Sequence, residues 1–368
     1  MMSRARRCVW LACGVFGGVS ALAACVPAPM EPVGYTVRSA PPVGSLDAAP
    51  RGSNGSIEGG DPATVALIGK ITREKLRLDM SMIAESPRNH ETTPVQLQRA
   101  STFIRSELKK ASFDVQIQRV QYGGASAVNI IADLKGEDPN HVILLTAHYD
   151  SVAQSAGADD DASGVAALLS IARALSGTTP KVGIRIVMFC FEEQGLIGSQ
   201  QYVSALEREE KEKIVGVFNV EMIGFTDHRP DSQKYPAGLP EAFGSQSLPT
   251  TGDFIGVIGR TSDQSLLDAL DKSKKYAPKL KSKAIAVPSA ALLVMPDLMR
   301  SDHAPFWTAG IPAVMLGDTA DFRTPHYHQP TDVIDTLDLD FMTQVTRWLL
   351  AGVVELANSS ATPAPAKK

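Results

Sequence analysis

Histidines and carboxylates recur in this sequence at spacings suited to holding a cation. His148 is followed two residues on by Asp150. Three consecutive aspartates, Asp159, Asp160 and Asp161, precede a run of small residues. Glu192 and Glu193 stand side by side, Glu221 follows, and His326, Tyr327 and His328 cluster late in the chain. Imidazole nitrogens and carboxylate oxygens, with no thiolate in these motifs, suit zinc or a similar divalent ion. Each group alone has a blander reading. His148 could be a structural histidine at a strand end, the aspartates could cap a helix ahead of Ser163, and the glutamates could form a solvated turn. Asp302 and His303 precede a short helical pattern, where capping competes with a site role.

The elements that must position these residues alternate along the chain. Residues 64–85 and 94–111 carry helical spacing of Leu, Ile and Met, and residues 114–122 alternate like a half-exposed strand. Short β-branched runs at 128–134 and 142–147, a buried-strand run at 182–191 and another at 214–222 predict further strands. Residues 254–258, 284–287 and 313–316 complete that set. Helices are expected at 163–175, 199–212, 266–275 and 340–357, and 226–252, rich in Gly, Pro and Ser, reads as a long loop and a rim for a substrate pocket. Strands separated by helices predict an α/β fold, a single mixed, mostly parallel sheet sandwiched by helices. Ligands bind such sheets at the carboxyl ends of the strands. His148, the Glu192–Glu193 pair and Glu221 each fall at the end of a predicted strand. Carboxylates crowded at one sheet edge repel one another unless something positive sits among them.

Six words share one order with a known family: AHYDS at 147–151, GADDDASG at 157–164, FEEQGLIGS at 191–199, EMIG at 221–224, SDHAPFWTAGIPA at 301–313 and HYHQPTD at 326–332. They cover most of residues 70–350 and resemble the co-catalytic zinc aminopeptidase family, whose relatives include glutamate carboxypeptidase and the glutaminyl cyclases. The resemblance implies a zinc exopeptidase-like sheet of the phosphorylase/hydrolase type, peptide substrates, and two zinc ions bridged by Asp160. One ion would take His148 and Glu221, the other Glu193 and His328. Glu192 would be the general base that activates the attacking water. Asp150 would hold the His148 tautomer from the second shell, Asp302 would stand nearby, and Tyr327 would stabilise the developing oxyanion. Glu221 stands where the family often has aspartate, so the reach of that ligand differs by a methylene. Asp159 and Asp161 remain alternatives to Asp160. A single-zinc cyclase-like acyl transfer, a carboxypeptidase or dipeptidase, and a non-catalytic binding lipoprotein are the competing functions.

The chain has 368 residues, a formal charge of −4, and 21% charged residues. That balance offers no basic footprint for nucleic acid. Three of the four cysteines fall within the first 25 residues. Arg4, Arg6 and Arg7, an uncharged stretch over 8–24 and Leu22-Ala23-Ala24-Cys25 predict a secretory signal over residues 1–24, cleaved ahead of a lipidated Cys25. Residues 25–61, with six prolines and six glycines between 26 and 60, read as a flexible tether. Residues 62–357 are expected to fold as the catalytic body, and 358–368 to form a disordered tail. Removing three arginines and no acid takes the formal charge from −4 to −7, so the lipid rather than charge would supply membrane attachment. The cell envelope, with outer-membrane placement because Val26 is not aspartate, is the expected location. Cys190, between Phe189 and Phe191, is expected to be an inert core thiol, and His90, His141 and His228 to lie at the surface.

Overall fold

The structure is a computed structural model that describes residues 59–243 and 248–359. The signal segment, Cys25, residues 25–58 of the tether and residues 360–368 of the tail lie outside the described residues. The chain begins with helices α1 (Pro62–Ile68), α2 (Arg73–Ile83) and α3 (Pro94–Lys110), then strands β1 (Asp114–Tyr122), β2 (Ala125–Leu134) and β3 (Asp138–His148). Next come α4 (Ala162–Leu175), β4 (Val182–Phe189), α5 (Ile197–Ala205), α6 (Arg208–Lys213), β5 (Ile214–Glu221) and α7 (Leu239–Phe243). The last third holds β6 (Ile255–Arg260), α8 (Gln264–Ser273), β7 (Ser282–Val287), α9 (His303–Thr308), β8 (Ala313–Gly317) and α10 (Leu339–Asn358).

The eight strands form one sheet in the order β1-β2-β4-β3-β5-β8-β6-β7. Neighbours β4-β3-β5-β8 and β6-β7 are parallel, and the β1-β2, β2-β4 and β8-β6 pairs are antiparallel. The expected mixed, mostly parallel sheet is therefore present. Successive strand residues face opposite sides of it. Ile143, Leu145, Phe218 and Val220 pack under α2, α3, α4 and α10, whereas Leu144, Val187, Phe189 and Val217 pack under α5 and α9. Helix α4 is buried along almost its whole length, as its run of alanines and aliphatics requires. Inside this wall Cys190 is fully buried. Its Sγ lies 3.4 Å from Asn129 Oδ1, and burial pushes its thiol pKa up. Gly198 packs so closely on the Cys190 carbonyl that no Cβ fits there.

Several expected elements are broken by local hydrogen bonds. The helix expected over 64–85 divides in two. Gly69 closes the first part with its N–H on the Val65 carbonyl at 3.0 Å, and the Thr72 hydroxyl caps the second by accepting from the Lys75 N–H at 3.3 Å. The helix expected over 199–212 breaks at an extended Leu206, after which Glu210 accepts from the Glu207 N–H at 2.9 Å. Strand β4 stops at Phe189, and Phe191 takes a left-handed backbone (φ 59°). Glu192 and Glu193 therefore lie in a turn, and strand alternation does not aim them. His90 is not a free surface histidine, for its ring stands edge-on to Phe191 at 5.3 Å. Asn358, expected in the tail, is the last residue of α10.

A charged knot ties three helices together. Arg173 of α4 holds the fully buried Asp79 of α2 through two bonds of 2.5 and 2.9 Å, and Glu107 of α3 at 2.7 Å. Burial pushes Glu107 up, but Lys110 and Arg173 outweigh it and hold its pKa below the usual value. Arg173→Met would leave Asp79 buried beside only Lys75, 3.4 Å away. The variant should lose about 3 kcal/mol of unfolding free energy at neutral pH, measured by urea titration. A carboxylate with a depressed pKa stabilises the fold above its ordinary pKa and loses that effect as pH falls. Variant and wild type should therefore converge in acid, and an equal gap at all pH values would contradict this account.

Candidate metal centre

The sheet order reverses at β3: β4 follows it on one side and β5 on the other. A crevice opens beyond the carboxyl ends at such a point, and the histidines and carboxylates collect there. His148 is the last residue of β3 and Glu221 the last of β5; Glu192 and Glu193 follow β4, Asp160 lies just ahead of α4, and His328 comes from the loop after β8. Asp160 lies between the two histidines. Its Oδ1 is 3.0 Å from His148 Nε2, and its Oδ2 is 3.1 Å from His328 Nε2. Glu221 Oε1 is 3.4 Å and Glu192 Oε2 3.9 Å from His148 Nε2, and Glu193 Oε2 is 3.1 Å from His328 Nε2.

These donors meet in two groups. Atoms of His148, Glu192 and Glu221 lie within 4.8 Å of one another, as do those of Asp160, Glu193 and His328. Around a tetrahedral zinc with ligand bonds near 2.1 Å, donors stand about 3.4 Å apart. His148 is fully buried, and neither of its ring nitrogens makes a hydrogen bond despite the close oxygens. Nε2 of His148 and Nε2 of His328 each face carboxylate oxygens gathered at one point, so the residues fit a pair of divalent cations.

The three aspartates separate by contact. Asp161 accepts from the N–H groups of Gly164 and Met222, both at 3.1 Å, capping α4 and binding the end of β5. Asp159 accepts from the Gly224 N–H at 2.8 Å. Only Asp160 faces both histidines, and Asp332 accepts from the N–H groups of Asp159 and Asp160 at 2.8 and 3.2 Å.

Asp150 does more than expected. It stands behind the ring, 3.6 Å from His148 Nδ1, and also accepts from the N–H groups of Glu192 and Glu193 at 3.1 and 3.2 Å. The turn that aims both glutamates is thus clamped by the residue two places after His148. Glu193 is fixed further by the Val152 N–H at 3.1 Å. The side chain of Glu192 accepts no hydrogen bond among the described residues and is 11% exposed, which leaves its carboxylate free toward the cleft.

Two residues that no motif marked, Arg88 and Asn219, hold this arrangement together with Ser301, the first residue of the word at 301–313. Arg88 is fully buried, and its guanidinium donates to the carbonyls of Tyr149 (2.7 Å), Gly157 (3.0 Å), Ile83 and Asp160 (both 3.5 Å), with a further short contact to that of Ala156. It wraps the loop that carries Asp150 and Asp160, and brings a positive charge beneath the acids without contacting a carboxylate directly. Burial lowers its pKa, opposed by Asp150 and Asp332. Asn219 and Ser301 form the other support: Thr146 donates to Asn219 at 2.7 Å, Asn219 to Ser301 at 2.7 Å, and Ser301 to Glu221 Oε2 at 2.6 Å. That chain holds one oxygen of Glu221 and leaves the other toward His148.

The crowding shows in the protonation equilibria. Burial pushes Asp160 up, but His148 and His328 outweigh it and hold it well below the carboxylate range. Burial and repulsion from Asp160 push Glu193 up to about 7. Burial and neighbouring acids raise Glu192 well above its ordinary value. Asp302 is fully buried, its carboxylate makes no hydrogen bond, and burial lifts it to about 7. It does not cap α9 with its side chain. His303 is a core histidine, bonded to the Leu298 carbonyl at 2.8 Å and edge-on to Trp307, with burial lowering its pKa to about 4. Tyr327 stacks on His328 with ring centroids 3.8 Å apart, and its hydroxyl is 3.3 Å from Arg300. His326 bonds Thr331 at 2.9 Å, outside both donor groups.

Asp160, Glu192, Glu221 and Tyr327 line an open cleft of about 1000 Å³, walled by Tyr235, Leu239, Met315 and Ile285. Lys234–Pro236 and Leu239 come from the expected rim loop.

Comparison with known proteins agrees with this geometry. Residues 129–353 match the family model described as Peptidase family M28. A protein of uncharacterised function from Escherichia coli, YfbL, is 34% identical over 273 residues, which cover 72% of this chain and 80% of that protein. Aminopeptidase YwaD of Bacillus subtilis is 29% identical over 246 residues, 65% of this chain and 47% of that protein, so the chain spans about half the length of that relative. Among solved structures, Legionella pneumophila LapA aminopeptidase shares the fold with a TM-score of 0.63 and 22% identity over 81% of this chain and 74% of that one. A Bacteroides thetaiotaomicron glutaminyl cyclase does so with a TM-score of 0.56 and 19% identity over 79% of this chain and 99% of that one. On the strength of the match over most of its folded length, the chain belongs to peptidase family M28.

Proposed function

We propose that this M28 metallopeptidase is a dizinc aminopeptidase that releases N-terminal residues from short peptides. The observation that carries the reading is the pair of adjoining donor groups, His148 with Glu192 and Glu221 and His328 with Asp160 and Glu193, in which Asp160 reaches both histidines and the Glu192 carboxylate accepts no hydrogen bond among the described residues. In this reading His148 and Glu221 would hold one zinc, Glu193 and His328 the other, and Asp160, which reaches both histidines, would be shared. Bound zinc supplies Lewis acidity, polarising the scissile carbonyl and lowering the pKa of water. Glu192 takes a proton from the attacking water and passes it to the leaving amine, so one peptide bond is exchanged for a carboxyl and an amine. The Tyr327 hydroxyl donates to the carbonyl oxygen as it gains charge. The acidic centre also attracts the free ammonium of the substrate. Two donor groups, each with its own histidine, favour this chemistry over a single-zinc cyclase, and a Glu192 carboxylate that accepts no hydrogen bond favours it over a non-catalytic lipoprotein. We further propose that the signal segment directs export and that a lipid on Cys25 anchors the enzyme to the outer membrane.

Glu192→Gln should lower kcat by about 10²- to 10⁴-fold while zinc content by metal analysis stays at the wild-type level. Loss of zinc together with activity would make Glu192 a ligand instead. Chelation should abolish activity on free peptides and added zinc restore it, and N-acetylated peptides should not be cleaved. A product lighter by ammonia in place of a released residue would establish the cyclase.

Arg88→Met should cost about 3 kcal/mol of stability, speed amide exchange across residues 149–161 and weaken zinc binding. Arg88→Lys should recover only part, since one ammonium cannot span those carbonyls. Unchanged exchange and zinc affinity in Arg88→Met would remove Arg88 from the positioning of the site. Cys25→Ala should move the protein from the membrane fraction to the soluble fraction, and retention in the membrane would exclude the lipid anchor.

A further inference from the structure

The cleft has a second pole that hydrolysis itself does not use. Across the sheet Glu221 pairs with Gly317, Gly317 with Gly256, and Gly256 with Lys283. One rung through β5, β8, β6 and β7 thus starts at a carboxylate of the candidate metal centre and ends at an ammonium. Adjacent strands lie about 4.8 Å apart, so about 14 Å separates the Cα atoms of Glu221 and Lys283. The two positions between them are glycines, so bare backbone lies along the rung. The next rung on the same face of the sheet, Met315, Ile258 and Ile285, supplies an apolar floor, and all of these residues line the same cleft.

The charges along this cleft are unevenly compensated. Arg300 is neutralised by Asp321 at 3.1 Å and Asp297 at 3.3 Å. The Lys234 ammonium, also lining the cleft, donates to the Asp231 carbonyl at 3.0 Å and to no other group among the described residues. The Lys283 side chain, in a half-buried residue, has neither an ion pair nor a hydrogen bond among the described residues. Two ammonium groups therefore border the cleft without a carboxylate partner among the described residues, and that of Lys283 lies three strands from Glu221.

We propose that the cleft selects short peptides carrying a carboxylate two or three residues beyond the cleaved bond, held by Lys283 with Lys234. An extended peptide advances about 3.4 Å per residue. Counted from the metal centre, such a carboxylate comes within reach of the long lysine stem. The carboxylate is either the C-terminus of a tri- or tetrapeptide or an acidic side chain at that position. This inference rests on the aminopeptidase reading.

The test compares Leu-Gly-Gly, Leu-Gly-Gly-amide and Leu-Gly-Glu-amide on the zinc-loaded full-length enzyme, with leucine p-nitroanilide as a substrate lacking any carboxylate. The free acid should exceed the amide about fivefold in kcat/KM, chiefly through KM, and the gap should shrink as salt rises. Recovery with Leu-Gly-Glu-amide assigns the side chain as an accepted source, and no recovery assigns the terminal carboxylate. Lys283→Gln should lose the preference and Lys283→Arg keep it. Cleavage of the anilide with acid and amides treated alike by wild type overturns this inference alone. A preference undiminished in both Lys283→Gln and Lys234→Gln also overturns it. Failure to cleave any of the four substrates overturns the aminopeptidase reading and this inference with it.

Discussion

Carboxylates held together out of water repel one another, and most of this molecule's architecture follows from gathering them at one place. Asp150, Asp159, Asp160, Asp161, Asp302 and Asp332 are all buried near the ends of adjacent strands, with Glu192, Glu193 and Glu221 beside them. Such a cluster persists only where each acid has a specific compensation. Some are met by backbone N–H groups, as Asp161 is by α4 and β5. Others face imidazole, as Asp160 does. Arg88 contributes a permanent charge from below, spending its donors on carbonyls so that the acids stay available. The remaining need for positive charge is what the two proposed zinc ions would satisfy, which makes the metal centre a demand of the fold as much as of the chemistry.

Much of this was legible in the residues. Strand runs such as 182–189 and 214–221 announce themselves because both faces of a central parallel strand are buried, leaving a nearly continuous apolar stretch. The motif words located Asp160 and both histidines. What stayed hidden has a common cause. Arg88 acts on backbone carbonyls, which any sequence would present, and the Thr146–Asn219–Ser301 chain joins three segments that no spacing connects. The helix breaks at 69–72 and 206–207 depend on single capping bonds that leave the apolar periodicity intact. That Asp150, beside the imidazole of His148, also clamps the turn after β4 depends on how that turn folds back. Lys283 acquires meaning only from sheet register, a long-range property.

The departure at Glu221 becomes intelligible in the same terms. The longer side chain reaches both Ser301 and the vicinity of His148, so one oxygen is anchored while the other is presented. An aspartate there would be one methylene short of making both contacts from the same backbone position. Residue choice at the centre and residue choice in its supporting chain are therefore coupled, and neither can be judged alone.

The single cysteine of the described body offers a consequence of another kind. Cys190 is sealed between Asn129, the packed face of α5 and the aromatic rings around it, and its burial suppresses the thiolate. A thiol in that position meets no reagent while the sheet is intact, and among the described residues it has no competitor. Its rate of labelling is thus a native clock for opening of the central wall, readable on the unmodified protein. Because the turn bearing Glu192 begins two residues later, that clock reports on the ground beneath the candidate metal centre.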